Sequence, residues 1–204
     1  MRRITYPVVM SLTQRMAEFG FETNEDYSLP LRLLLERPAQ SVRTLNITGE
    51  PGRRKTAFAN ALAAAMDVPH VLYHDFAQHE SSDAAASTGQ AQRPPIDPFD
   101  RVMSEGSALS EGERTIVILD QLQRTTFAQH LRVYEFVKTL EWHYLDTSAQ
   151  ANIDKLLLFV ISEEPVYHSL QKLSLRVWVD AAGSGRPAYV PEDFGRGLRM
   201  AQTM

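Results

Sequence analysis

The chain of 204 residues contains no cysteine, which excludes disulfides, thiolate zinc sites and cysteine nucleophiles. It also lacks an excess of one charge, because 21 basic and 25 acidic residues leave a net charge of −4. That balance does not indicate nucleic acid or an anionic membrane as a partner. The longest apolar runs, 156–161 and 115–119, are far too short to span a bilayer. With no signal-peptide pattern at its start, we expect a cytoplasmic protein.

What the sequence does contain is an alternation of apolar strands with helical segments. Continuous apolar strands are typical of a parallel sheet covered by helices on both faces. The sequence therefore predicts an α/β fold, a three-layer αβα sandwich around a five-stranded parallel sheet. The predicted strands are residues 43–48, 70–75, 115–120, 156–162 and 175–179.

The regions around these strands predict the organisation of the chain. We expect residues 1–40 to be a helical segment packed on the core, and residues 41–180 to be the core itself. The polar stretch 77–95 has no apolar period and predicts a flexible loop. Residues 181–204, rich in glycine and polar residues, predict a loose tail. An apolar stripe from Phe127 to Tyr144 predicts one long amphipathic helix.

The stretch GEPGRRKT, residues 49–56 and hereafter the glycine loop, differs in one letter from the phosphate-binding pattern G-x-x-x-x-G-K-[ST]. It follows a predicted strand and opens a predicted helix, as that pattern requires. Backbone N–H groups and the helix N-terminus would face the phosphates of ATP or ADP. Lys55 would reach the β and γ phosphates, and the Thr56 hydroxyl would ligate Mg²⁺. The predicted nucleotide-binding residues are Gly49, Gly52, Arg53, Arg54, Lys55 and Thr56.

Arg54 is the departure, since the pattern has glycine before the lysine. A β-carbon at that position can strain the loop or obstruct the β phosphate. Alternatively, Arg53, Arg54 and Lys55 place three cations at a helix N-terminus, which favours a polyanion if the side chains point outward. The sequence leaves both alternatives open.

The stretch TIVILDQ, residues 115–121, is an apolar strand that ends on Asp120, a candidate ligand of Mg²⁺. Gln121 occupies the next position, where a base would polarise the attacking water. An amide accepts no proton near neutral pH, so general-base catalysis is lost there. Glutamine can still hydrogen-bond a water molecule. No catalytic residue is predicted.

Together these stretches resemble the core of an AAA+ ATPase over residues 28–180, and more weakly its MoxR-like branch. LNITGEPGRRKTAFANALAAAMDVP is similar to the loop and helix of that family, TIVILDQ to Walker B and LLLFVISEEP to the sensor 1 strand. The resemblance implies the strand order 5-1-4-3-2, nucleotide at a subunit boundary and Ser162 as the sensor 1 residue. Lys172 or Arg176 corresponds only loosely to the arginine finger. We do not expect the helical lid of that family in the stretch after residue 180.

Other patterns are weaker. His70, His74 and His79 lie close in sequence, but their spacing is more typical of packing or surface residues than of metal ligands. Glu163 and Glu164 could replace the missing base or form a solvated loop. The aromatic residues near Trp142 could form a partner surface or pack in the core.

Three hypotheses follow. The chain is a nucleotide-binding module with impaired hydrolysis, an ATPase that needs a partner subunit or a second copy, or an interaction scaffold with a vestigial site.

Overall fold

A parallel sheet forms the centre of the computed structural model, which describes residues 7–23, 25–36, 41–81 and 96–180. The strands are β1 Arg43–Gly49, β2 His70–Asp75, β3 Thr115–Asp120, β4 Glu141–Tyr144, β5 Thr147–Gln150, β6 Leu156–Ile161 and β7 Leu175–Val179. The five-stranded sheet has the order β2-β3-β6-β1-β7, and all its pairs are parallel. The predicted α/β fold with a five-stranded parallel sheet is confirmed. Numbered along the chain, its strands lie in the order 5-1-4-3-2.

Helices cover both faces of the sheet. They are α1 Pro7–Glu18, α2 Ser28–Glu36, α3 Arg54–Met66, α4 Pro98–Gly112, α5 Phe127–Thr139 and α6 His168–Leu173. Alternate residues of β3 join different cores: Ile116 and Ile118 pack with α3, whereas Val117 and Leu119 pack with α4 and α5. This alternation explains the continuous apolar strand, because each face has its own buried layer. Within the described residues, no helix is both long and apolar enough to cross a membrane.

The predicted long helix ends earlier than its apolar stripe. Helix α5 ends at Thr139, and Leu140 then takes a left-handed conformation with φ of 65°. Residues 141–150 form the antiparallel hairpin β4–β5 instead. The prediction of helix to residue 144 was wrong because Trp142 turns into the core, where its ring contacts Phe99 and Phe136 at centroid distances of 4.9 and 5.8 Å.

The N-terminal helices pack on the same face as α3. Leu12 and Met16 of α1 and Leu31 of α2 are buried in one apolar cluster with Phe58 of α3. The predicted loop 77–95 begins within a 3-10 helix, Phe76–Ser81. Residues 82–95 and the predicted tail 181–204 lie outside the described residues.

Strand order determines where the loops meet. Strand β6 lies between β1 and β3, so the segments that follow these three strands emerge side by side at one edge. Ligands of open α/β sheets bind beyond the carboxyl ends of the strands. The glycine loop, Asp120 and Glu163 all lie at this edge.

Candidate functional site

The glycine loop connects β1 to α3, and its two glycines have different reasons to be there. A β-carbon at Gly49 would lie 1.9 Å from the carbonyl oxygen of Val179, so only glycine lets β7 approach. Gly52 has φ of 130°, a conformation that L residues rarely adopt, although space around its Cα is open. The first glycine thus allows close strand packing, and the second allows the turn of the loop.

Lys55 lies inside the loop rather than in solvent. Its side chain is only 3% exposed. The ammonium group donates to the carbonyl oxygens of Glu50 and Gly52 and lies 3.3 Å from Oε1 of Glu163. A buried ammonium needs such acceptors, because burying it without hydrogen bonds costs about 2 kcal/mol or more. The structure therefore places the lysine where the pattern predicts, with its charge compensated by the protein itself.

The two predicted metal ligands are in direct contact. The Thr56 hydroxyl donates to Oδ2 of Asp120 at 2.7 Å, although 64 positions separate them. Asp120 is buried, and its Oδ1 accepts the backbone N–H of Gln121 at 2.7 Å. Carboxylate and hydroxyl oxygens are hard ligands that suit Mg²⁺. These residues fit the cation that the glycine loop implies.

Tyr73 supports this pair from the neighbouring strand, and the sequence pattern did not reveal it. Its hydroxyl donates to the same Oδ2 of Asp120 at 2.7 Å. Burial raises the pKa of Tyr73, and so do its hydrogen bond to Asp120 and the charge of that carboxylate. The phenol therefore remains protonated and a donor. Tyr73 lies two residues before Asp75, which pairs in register with Asp120, and the strand register is what brings the phenol to this carboxylate.

Gln121 occupies the position after the strand, as predicted. It has φ of 57° and ψ of 44°, a left-handed conformation that is uncommon for a residue with a β-carbon. Its side chain lines the pocket beside Asp120 and Thr56. An amide at this point can orient water and cannot remove its proton.

Arg54 points away from the loop. It is the first residue of α3, and its guanidinium lies over the ring of Phe21, 4.7 Å from the centroid. The structure therefore does not bring Arg54 together with the other predicted nucleotide-binding residues. The guanidinium thus lies outside the pocket lining, while the β-carbon of Arg54 remains where the pattern has glycine.

The end of β6 presents a different residue to the loop from the one the resemblance implies. Ser162 is buried, and its hydroxyl donates to the carbonyl oxygen of Glu164 at 2.6 Å. Glu163 turns toward the loop, where its Oε1 accepts the N–H of Gly52 at 3.2 Å. The hydrogen bond from Gly52 holds the pKa of Glu163 below its usual range, aided by the charges of Lys55 and Arg124.

These groups enclose a pocket of about 210 Å³. Glycine-loop residues, the end of β3 and the end of β6 supply its walls. Gln123, which the sequence pattern did not single out, lines it and accepts the N–H of Glu163 at 3.3 Å. The lining residues are Gly52, Arg53, Lys55, Thr56, Asp120, Gln121, Gln123, Ile161 and Glu163.

Comparison with protein families and with curated proteins gives no match. Among solved structures, the chain is similar to NtrX from Brucella abortus in complex with ADP, with 13% identity, and in complex with ATP, with 14% identity. The alignments cover 82% and 83% of this chain but 39% of NtrX, with a TM-score of 0.47 in both cases. The chain thus spans about two fifths of NtrX.

The sheet and the strand–loop–helix unit decide the fold. It is a P-loop NTPase-like fold. The features typical of this fold are the parallel sheet, the glycine loop between β1 and α3, and Asp120 at the end of β3.

The weaker candidates take other places in this P-loop fold. His74 is buried and packs edge-on against Phe76, and His70 pairs with Glu113 at 3.0 Å. No metal-binding group of three histidines or carboxylates occurs within the described residues. Arg176 donates to the Thr48 hydroxyl at 3.0 Å on the edge strand β7.

Proposed function

We propose that this chain is an AAA+-like nucleotide-binding module that takes ATP or ADP with Mg²⁺ at the glycine loop. The observation that carries the proposal is the contact between Thr56 and Asp120, 2.7 Å apart, next to Lys55 at the N-terminus of α3. Chance turns between a strand and a helix do not explain why a hydroxyl, a carboxylate and an ammonium meet there.

Each part has a physical role toward a nucleotide. Loop N–H groups and the positive end of α3 would stabilise the phosphate charge, and Lys55 would bind the β and γ phosphates. Arg53, exposed at the N-cap of α3, adds positive charge at the mouth of the pocket. Thr56 and Asp120 would hold the cation, which neutralises phosphate charge when bound.

Hydrolysis by the chain alone is proposed to be weak. Gln121 orients water without accepting a proton, so efficient turnover needs a base or a finger residue from another chain. We therefore propose a module that acts with a protein partner or as a homo-oligomer, either in protein remodelling or as a regulatory subunit. Occupancy of the site would then serve as the signal.

The direct test is titration of a fluorescent ATP analogue with Mg²⁺ against wild type, Lys55→Ala and Arg54→Gly. We expect wild type to bind and Lys55→Ala to lose at least about 100-fold in affinity, by analogy with buried charge-assisted contacts. Lys138→Ala, in the exposed last turn of α5, is the matched lysine control. Since Arg54 points outward, Arg54→Gly should bind about as well as wild type. Absence of binding by wild type would refute the proposal.

A second candidate function is an interaction scaffold with a vestigial site. One observation favours it: Lys55 already has three acceptors within the protein, so no ligand is needed to compensate its charge. A simple experiment distinguishes the two functions. Gel filtration with and without nucleotide should show a change of oligomer only for the nucleotide-dependent module.

A further inference from the structure

We infer that Glu163 is an internal anion that occupies the phosphate position of the glycine loop and sets the affinity for nucleoside diphosphates and triphosphates. The inference rests on the proposed function. Its geometric basis is that one oxygen, Oε1 of Glu163, accepts from both the Gly52 N–H at 3.2 Å and Lys55 at 3.3 Å. A backbone N–H of the loop and the loop lysine are the two kinds of donor that bind phosphate oxygens in this motif.

The position of Glu163 is determined by the sheet. Strand β6 lies next to β1, so the residue two positions past its end reaches the loop that follows β1. The N–H of Glu163 donates to Gln123, and Ser162 closes the turn through the carbonyl of Glu164. The turn is therefore tied to the segments after β3 and β6, and the carboxylate is directed at the loop.

A phosphate can displace this carboxylate, because its oxygens can accept from the same two donors, the Gly52 N–H and the Lys55 ammonium. A phosphate that arrives while Glu163 stays would meet its like charge. The Glu163 side chain is 41% exposed and can turn into water, whereas that of Lys55 is 3% exposed and cannot. The carboxylate is thus the mobile member of the pair.

The contact between Glu163 and Lys55 also predicts which nucleotides bind more weakly. The loop lysine reaches the β and γ phosphates, so Glu163 competes with these groups and not with the α phosphate. ATP and ADP must displace the carboxylate. AMP has no phosphate that requires this position. Glu163 would therefore lower affinity for the first two ligands selectively.

The test is calorimetric titration of ATP, ADP and AMP, each with Mg²⁺, against wild type, Glu163→Gln and Glu164→Gln. Glu164→Gln removes the same charge one residue away and leaves the contacts of Glu163 with Gly52 and Lys55 in place. We expect Glu163→Gln to tighten ATP and ADP binding about tenfold, the scale of one charge-assisted hydrogen bond. AMP binding should change by less than about twofold, and Glu164→Gln should resemble wild type. Glu163→Ala should give the same direction as Glu163→Gln.

The outcomes separate the two proposals. If wild type binds ATP and Glu163→Gln binds it equally or more weakly, the inference about Glu163 is overturned and the proposed function stands. An equal gain with Glu164→Gln would also overturn it, because the effect would then be general electrostatics. If no variant binds any nucleotide, the proposed function fails and this inference fails with it.

Discussion

Two ion pairs in this molecule, Asp100–Arg132 and Lys55–Glu163, each have one buried partner, and they stabilise different regions. Asp100 of α4 pairs with Arg132 of α5, and its carboxylate also accepts the indole N–H of Trp142 at 3.0 Å. The Arg132 guanidinium lies over the Trp142 ring, 4.3 Å from its centroid. In the pair Lys55–Glu163, the carboxylate side chain is 41% exposed. The first pair joins two helices to the hairpin, whereas the second fills a loop that faces solvent.

The difference shows that a buried charge is not by itself a sign of function. The Asp100 side chain is only 7% exposed, and the indole that donates to it belongs to Trp142, which is buried in the core. Removing one partner of such a pair leaves an uncompensated charge. Glu163 can leave, and its place can be taken by another anion. Whether the carboxylate is replaceable distinguishes a structural pair from a candidate ligand position.

The largest expected effect is on the free energy of unfolding, which should differ between variants of the two pairs. Asp100→Ala should lower the free energy of unfolding by about 3 kcal/mol, because Arg132 and the Trp142 indole both lose their acceptor. Glu163→Ala, the matched removal of a carboxylate, should change it by less than about 1 kcal/mol, because Lys55 keeps the carbonyl oxygens of Glu50 and Gly52 as acceptors. Urea unfolding of both variants measures the difference. Equal losses would contradict the distinction.

A second prediction concerns catalysis at the glycine loop. Gln121→Glu adds a carboxylate beside Asp120 and should raise phosphate release about 100-fold, the lower end of a general-base contribution. Unfolding midpoints should stay close to wild type. The measurement is steady-state phosphate release with Mg²⁺, and Gln123→Glu, on the same wall of the pocket, is the control. Substantial turnover by wild type would refute the view that Gln121 disables the site.

A third prediction concerns whether Mg²⁺ binding at the glycine loop depends on the hydrogen bond from Tyr73 to Asp120. Tyr73→Phe removes the donor to Asp120 and should weaken Mg²⁺-dependent nucleotide binding about tenfold, as for other partners of metal ligands. Tyr134→Phe, whose ring packs against Tyr167 away from the loop, is the matched control. Titration of Mg²⁺ at fixed nucleotide gives the affinity. An unchanged Mg²⁺ affinity would show that Tyr73 only packs.

The smallest effect concerns pH. The pKa of Glu163 is lowered in the folded chain, so its contribution to stability is present above the unfolded pKa and is lost as pH falls through the folded pKa. The Gly52 amide resonance should therefore titrate with a midpoint below the ordinary glutamate value of about 4.3. In Glu163→Gln this titration should vanish. A midpoint at or above the ordinary value would contradict the contact between Glu163 and the Gly52 N–H.

The sequence predicted much of the fold because its signals are local. Runs of strand length that are rich in apolar and β-branched residues placed all five strands of the sheet. The position of the glycine loop between strand and helix followed from Gly52, Lys55 and Thr56. The hairpin was missed because the apolar stripe continues past Leu140, and only packing shows that the chain turns there. Trp142 enters the core since Asp100 offers its indole an acceptor.

By itself, the sequence determined which groups are available at the site: an ammonium, a hydroxyl, a carboxylate after β3 and an amide where a base is usual. The motifs predicted that Thr56 and Asp120 share a cation, and only the tertiary structure decided which further groups join them. Glu163 reaches Lys55 across 108 positions, and Tyr73 reaches Asp120 across 47. It also turned Arg54 toward Phe21 and away from the pocket. The physical reason is that these contacts depend on how side chains pack where the ends of β1, β3 and β6 meet, and no local pattern encodes that packing.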